Sequence, residues 1–348
     1  MANFIYAGSR FSMMTKSKEF FIIISIIMLF LISACKGNSD AKEQLENLRS
    51  GTLGLTAGFL PNNPPETIHV EQEQDNKFDI VLEVSNKGVY PQPEDGIKLN
   101  GRLYLSGYDK DIVEITAPSI ELSTLAIDGK SSINLNGGSD LAVFKASIDH
   151  SKLPVERYEP TLLATACYNY ITIAGPSVCI DPDPYATIKQ KKVCEAGSIT
   201  LSSQGAPVAV VRVDTEAFAS KTQFKITIKN VGNGEVLKSQ QDQGMLQKCD
   251  PFGASRIERE DINKVYLEEA SLGNIGLDCW PFAEEQVKAA SGHVRLLDGE
   301  GSIICEIVKD SYASTNAAYT SPLRIKLSYG YKINAERKIS IKKEGLQN

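Results

Sequence analysis

The stretch "FDIVLEVSNKG" (78–88) alternates strictly. Phe78, Ile80, Leu82 and Val84 fall on one side, and Asp79, Glu83 and Ser85 on the other. A period of two with one apolar side is the pattern of a half-buried strand, and Asn86-Lys87-Gly88 supplies a turn. "FKITIKNVGNG" (224–234) repeats the pattern. Phe224, Ile226 and Ile228 alternate with Lys225, Thr227 and Lys229 before Asn230 and Gly232. Shifted by 144 residues, Ile80, Leu82, Val84, Asn86 and Gly88 fall on Phe224, Ile226, Ile228, Asn230 and Gly232. No other feature constrains the chain as much: it has to build β-structure, and to build it twice.

A second overlay agrees. "LLATACYNYITIAGPSVCI" (162–180) falls on "LRIKLSYGYKINAERKISI" (323–341) without gaps, so that Tyr168-Asn169-Tyr170 meets Tyr329-Gly330-Tyr331. Each reads as a strand, a short turn near Ile173 or its counterpart, and a return strand. Two collinear matches predict two related β domains. Strand patterns at 97–107, 140–148, 207–213 and 293–307, separated by Gly, Asn, Asp and Pro clusters, suit sandwiches rather than a parallel sheet with crossover helices. Helical patterns are confined to "AKEQLENL" (41–48) and "PFAEEQVKAA" (281–290). The stretch 181–206 is Pro-rich, then basic, then small and polar. The expected division is therefore a first domain over 51–190, a linker over 191–204, a second domain over 205–344 and a tail over 345–348.

The N-terminal segment sets the compartment. Phe20 to Ala34 is an apolar run of fifteen residues broken only by Ser25 and Ser33. That is short for a membrane span, which wants about 20, and right for the apolar core of a signal peptide. Lys16 and Lys18 precede it, and small residues lead into Cys35. The pattern Ile32-Ser33-Ala34-Cys35 resembles the lipobox of prokaryotic lipoproteins. That resemblance implies cleavage after a 1–34 signal peptide, a diacylglycerol on the sulfur of Cys35, and a polar tether over 35–50. Met13 or Met14 is the expected start. The alternative is an uncleaved single-pass anchor, which puts the rest of the chain on the same side of the membrane.

The Asn-x-Gly-closed strands resemble the early strands of CARDB-type and related immunoglobulin-like surface domains. The phrases "FLPNNPPETI", "QGAPVAVVRV" and "SPLRIKLSYGY" are similar to uncharacterised secreted proteins of archaea. Together these resemblances imply two tandem immunoglobulin-like sandwiches and an adhesion, binding or display role without catalysis. The single tryptophan, Trp280, directly follows Cys279, so the Cys–Trp–Cys spacing of antibody-type domains is missing.

The net charge of −6 opposes a nucleic-acid partner, since such binding is driven by cationic contacts to phosphate. With Cys35 assigned to lipid, six of the seven cysteines remain: Cys167, Cys179, Cys194, Cys249, Cys279 and Cys305. An exported chain makes disulfides of them, with fifteen possible pairings. A hairpin turning at Ile173 brings Cys167 opposite Cys179, with Ser328 and Ser340 at the matching places. Cys179 with Cys194 is the competing pair, and Cys279 with Cys305 is the first choice in the second domain. The three histidines, His69, His150 and His293, are far apart, and no C-x-x-C pair occurs, so no metal or cofactor is expected. The turns "DPDPY" (181–185) and "DGEG" (298–301) read as acidic surface loops rather than calcium sites. No G-x-S-x-G, H-E-x-x-H or phosphate-cradling loop is present, so no catalytic residue is assigned. The Tyr-x-Tyr pairs are expected to pack on a sheet face. The alternative function is a solute-binding or enzyme-accessory lipoprotein with a cleft between the domains.

Overall fold

The computed structural model describes residues 48–72, 76–186, 192–239, 244–284, 287–312 and 317–344. The segment 1–34, Cys35 and most of the tether lie outside the described residues, as does the 345–348 tail. From Leu48 onward the chain is one compact unit.

The protein is all-β. The first half contributes β1 (Leu55–Phe59), β2 (Thr67–Val70), β3 (Lys77–Asn86), β4 (Gly101–Ser106), β5 (Val113–Ile115), β6 (Ser119–Glu121), β7 (Ser139–Ile148), β8 (Arg157–Tyr158), β9 (Thr161–Ala174) and β10 (Ser177–Ile180). The second half contributes β11 (Ser198–Thr200), β12 (Val208–Ala217), β13 (Lys221–Asn230), β14 (Glu235–Leu237), β15 (Lys264–Leu272), β16 (Ile275–Gly276), β17 (Asp278–Trp280), β18 (Gly292–Arg295), β19 (Glu300–Val308), β20 (Tyr319–Lys338) and β21 (Ser340–Lys343). Two short helices, α1 (Gly244–Lys248) and α2 (Lys309–Tyr312), interrupt the second half.

The alternating strands form as their pattern dictates. β3 and β13 have the same bounds 144 residues apart, and Ile80, Leu82, Val84, Phe224, Ile226 and Ile228 are all fully buried. Each strand lies inside its own small sheet, ordered β1-β3-β7-β5 and β11-β12-β13-β19-β17. Ile80 faces Phe144, and the corresponding Phe224 faces Cys305.

Between the halves, two separate sandwiches joined by a linker give way to a shared sheet. A nine-stranded sheet runs through both, with β20 paired to β9 at its centre. The expected hairpins at 162–180 and 323–341 do not form. Residues 161–174 and 177–180 run in one direction, broken only at Gly175-Pro176, and both segments pair with β20 in one unbroken register from Thr161↔Lys338 to Ile180↔Tyr319. Asn169 pairs with Gly330, so the two Tyr-x-Tyr motifs meet, Tyr168 opposite Tyr331 and Tyr170 opposite Tyr329. A strand that finds twenty residues of partner elsewhere in the chain has no need to fold back on itself. The halves are also joined by β2, which lies parallel to β21 near the chain's end. Within the expected linker, β11 is paired to β12. Among the described residues the sheet is continuous along this line, where a cleft between the domains is the alternative expectation.

The helix expected over 281–290 is also absent among its described residues. Ala289 and Cys279 exchange both backbone hydrogen bonds, at 2.8 and 3.0 Å, which takes the groups a helical turn would need.

Candidate functional site

The two paired strands place Tyr168, Tyr170, Tyr329 and Tyr331 on one face of the central sheet, all buried. Their phenols fix the two small sheets onto it. Tyr170 Oη donates to Asn86 Oδ1 (3.4 Å) and accepts from Tyr90 N–H (3.2 Å). In the second half Tyr331 Oη donates to Asn230 Oδ1 (3.0 Å) and accepts from Gly234 N–H (2.8 Å). The Asn86 side-chain amide donates to Tyr90 O (2.8 Å), and Asn230 does the same to Gly234 O (2.9 Å). Leu55 N–H donates to Tyr168 Oη (3.0 Å), and Val208 N–H to Tyr329 Oη (3.3 Å). Burial pushes these phenols above the usual tyrosine range. The Asn-x-Gly signature thus has a structural cause. Asn receives the tyrosine, and Gly makes room for it: a Cβ on Gly88 would stand 1.9 Å from Tyr170 Oη, and one on Gly232 2.4 Å from Tyr331 Oη. The Tyr-x-Tyr motifs belong to the core, as expected, and are not available to a sugar.

The six cysteines form three disulfides: Cys167–Cys249, Cys179–Cys194 and Cys279–Cys305. The Cys167–Cys179 pair is corrected. Without a hairpin, Cys167 sits opposite Lys332 and Cys179 opposite Thr320. Ser328 and Ser340 are not partners either; Ser328 lies across from Ile171, and Ser340 accepts from Arg157. Cys179–Cys194, the competing pair, closes the loop that holds Asp181. That carboxylate is buried and paired with Lys192, so "DPDPY" is not a wholly solvated turn. Cys279 and Cys305 face each other directly across β17 and β19. Cys167–Cys249 crosses between the halves. It pins the segment around α1 to the outer face of the central sheet, where Met245, Leu246 and Leu237 pack with Tyr104, whose Oη donates to Leu246 O (2.8 Å). The sequence reading gave Cys249 no partner; the apolar pair Met245-Leu246 beside it was the available sign of a covering segment.

Several acids are clamped by ammonium groups. For Glu306, burial pushes the carboxyl up, but hydrogen bonds from Lys221, Lys288 and Gln223 outweigh it and hold the group at about 2. Glu284 is also held at about 2, chiefly by Lys238 (2.6 Å), with burial opposing and Lys264 (3.1 Å) adding. His293 lies 3.3 Å from Glu284 and edge-on to Tyr266. Burial lowers its pKa against the pull of Glu284. A carboxylate held this low, with both ammonium partners in place, is a poor proton acceptor near neutrality. The arrangement ties β14, β15 and β18 together. His69 pairs with Glu344, and His150 begins a single helical turn after β7. Among the described residues, no three His, Cys, Asp or Glu gather in a way that would hold a metal ion.

Two surface features remain. A shallow cavity of about 470 Å3 opens at one end of β7, bordered by Lys110, Asp111, Glu114, Asp149 and Lys152. Its charges are of both signs, and Ile112 and Ile148 are the apolar residues of a mainly polar lining, unlike a typical small-molecule pocket. At the other end of β7 a tight loop, 131–138, carries Ile133 and Leu135 into solvent. Lys130, at its base, donates through Nζ to Ser50 O (3.1 Å), so the loop adjoins the point where the chain enters the body.

These features define a disulfide-stapled, all-β protein, and the three bridges indicate an oxidising, extracytoplasmic setting. Among the described residues no helix is long and apolar enough to cross a membrane. No family model matches the chain, and no curated protein matches it. Among solved structures it is similar to the periplasmic chaperone SfaE, at 9% identity over 50% of this chain and 92% of the other, with a TM-score of 0.17. It is also similar to the secreted serine protease VesC from Vibrio cholerae, at 9% identity over 80% of this chain, with a TM-score of 0.17. The match covers 51% of the protease, about half its length. Neither likeness is close enough to carry an argument about function.

Proposed function

We propose that this is an exported lipoprotein, held to a membrane through Cys35, that acts as a non-catalytic adhesion, binding or display module. The observation that carries this reading is the weld between the halves. An unbroken ladder across β9, β10 and β20, and a disulfide from Cys167 to Cys249, make one stiff body. Stiffness of that kind suits presenting a fixed surface outside the cell. The clamped acids support a role without proton transfer. The matching Tyr–Asn–Gly locks support an origin by internal duplication, and the resemblance to immunoglobulin-like surface domains fits the same role. The partner is a protein or envelope component rather than nucleic acid, given the acidic chain.

Mass spectrometry of the membrane-extracted protein tests the reading. The expected species begins at Cys35, carries a thioether-linked diacylglycerol and has six cysteines in three bridges. An unmodified N-terminus with free thiols would overturn both the anchor and the compartment.

A further inference from the structure

The 131–138 loop is rigid and apolar at once. Ser131 and Gly137 N–H both donate to Asn134 O (2.9 and 3.3 Å), Asn134 N–H donates to Ser131 Oγ (3.1 Å), and Asn136 N–H to Asn134 Oδ1 (3.3 Å). This knot presents Ile133 at 93% exposure and Leu135 at 58%. Ile97, on the neighbouring loop, is 49% exposed, and the Lys98–Asp128 ion pair (3.0 Å) ties that loop to the base of the first. In the second half the residues 161 positions on, Val294 and Leu296, are each 2% exposed. Both halves therefore keep apolar residues at these places, and only the first leaves them uncovered. Ile133 and Leu135 put two large apolar side chains into water from one hydrogen-bonded loop, and Ile97 does so from the loop tied to its base.

Lys130 holds Ser50 beside the loop, and twelve residues lie between Cys35 and Leu48. At about 3.3–3.6 Å per residue the tether reaches no more than roughly 45 Å. We propose that Ile133, Leu135 and Ile97 rest in the interfacial layer of the lipid bilayer to which the chain is anchored, so that the body stands on the membrane in a fixed orientation. The proposal rests on the anchoring reading above. Apolar tips seated at the acyl boundary, with the charged remainder in water, are how peripheral surfaces bind lipid. Lys87 stands close to Lys130 at the base of the loop and Arg49 precedes Ser50, while Glu94 and Asp95 in the 93–95 turn carry the opposite sign, so the proposed contact is apolar before electrostatic.

The test uses the full-length protein in phosphatidylethanolamine–phosphatidylglycerol vesicles that carry a nitroxide quencher at shallow depth. Leu135→Cys and Lys152→Cys are each labelled with an environment-sensitive fluorophore; position 152 borders the cavity at the far end of β7. Intact mass under non-reducing conditions confirms three disulfides in both variants. The expected result is retention through an alkaline wash, with the 135 label blue-shifted and quenched about two-fold or more and the 152 label unchanged. Retention with neither label quenched, or with both quenched alike, overturns the proposal and leaves the anchor standing. A blue shift at 135 without quenching means that protein covers the loop, and also overturns it. Loss of the protein in the wash overturns the anchor and this proposal together.

Discussion

The two halves of the molecule agree inside and disagree at the edges. Asn86, Gly88, Tyr168 and Tyr170 recur as Asn230, Gly232, Tyr329 and Tyr331, with matching bonds between phenol, asparagine and backbone. At the position where the first half packs Phe144 against Ile80, the second puts Cys305 against Phe224, bridged to Cys279. Beyond β4 the first half adds β6, whereas the corresponding β15 takes β18, which buries Val294. Ile133 and Leu135 are left outside as a result. A lock that satisfies several buried polar groups at once tolerates no partial change, because each lost partner leaves another atom unpaired. A sheet edge has no such coupling, and different elements can occupy it.

The largest effect expected is from cutting the joint between the halves. Cys167→Ser with Cys249→Ser opens a loop whose ends are 82 residues apart, which costs about 4–5 kcal/mol in the loop-entropy account. Chemical denaturation should show the midpoint falling, and the segment around α1 should gain hydrogen exchange before the central sheet does. If the halves instead melt in two separate transitions, the shared sheet is not the cooperative unit described above.

Leu296→Ala should cost about 2–4 kcal/mol, since it empties a filled site beneath the second small sheet. Thermal unfolding measures it, and a change under about 1 kcal/mol would mean that the site collapses freely.

The asparagines come next. Asn86 makes two contacts that Asn230 does not, donating to Ile127 O (3.1 Å) and accepting from Gly88 N–H (3.1 Å), and it is fully buried while Asn230 is only partly so. Asn86→Ala should cost about 2 kcal/mol and Asn230→Ala about 1. Equal losses would show that the two extra contacts contribute nothing and that the locks are energetically identical.

How much of this could be read beforehand differs by distance along the chain. β3 and β13 were legible because their register is set by one buried face, which is a local property of the sequence. The pairing of β9 with β20 was not, because the Tyr-x-Tyr segments carry no mark of which strand they will meet. Reading each as a self-contained hairpin then produced the wrong bridge for Cys167. The Cys279–Cys305 and Cys179–Cys194 bridges were within reach because their partners are close in sequence. Cys249 was not, because its partner lies across the halves. The apolar residues at 133 and 135 were visible as letters, but their exposure depends on which strand claims the edge of β4.

The acid clamp in the second half should appear as a pH dependence. Glu306 has a folded pKa of about 2 against an ordinary 4.5, so its stabilisation is complete above pH 4.5 and is lost as the pH falls toward 2. The carboxylate is 8% exposed, but Lys288 is half exposed and solvent screens it, so about 1–2 kcal/mol is expected. Glu306→Gln should flatten the stability profile between pH 4.5 and 2, and an unchanged slope there would remove the clamp from the account.

The smallest effect bears most directly on the difference between the halves. Leu135→Ser replaces an exposed side chain whose loop is held by backbone and asparagine contacts, none of which involves the leucine itself. Its effect on stability should lie within about 0.5 kcal/mol, while Leu296→Ser at the corresponding place should cost several times more. Measured in detergent-free solution, a large loss from Leu135→Ser would mean that the leucine is packed inside the fold. The loop would then be a second core edge like its counterpart. A negligible loss leaves the apolar character at 133 and 135 without a folding role, and folding is then not what keeps two apolar residues in water.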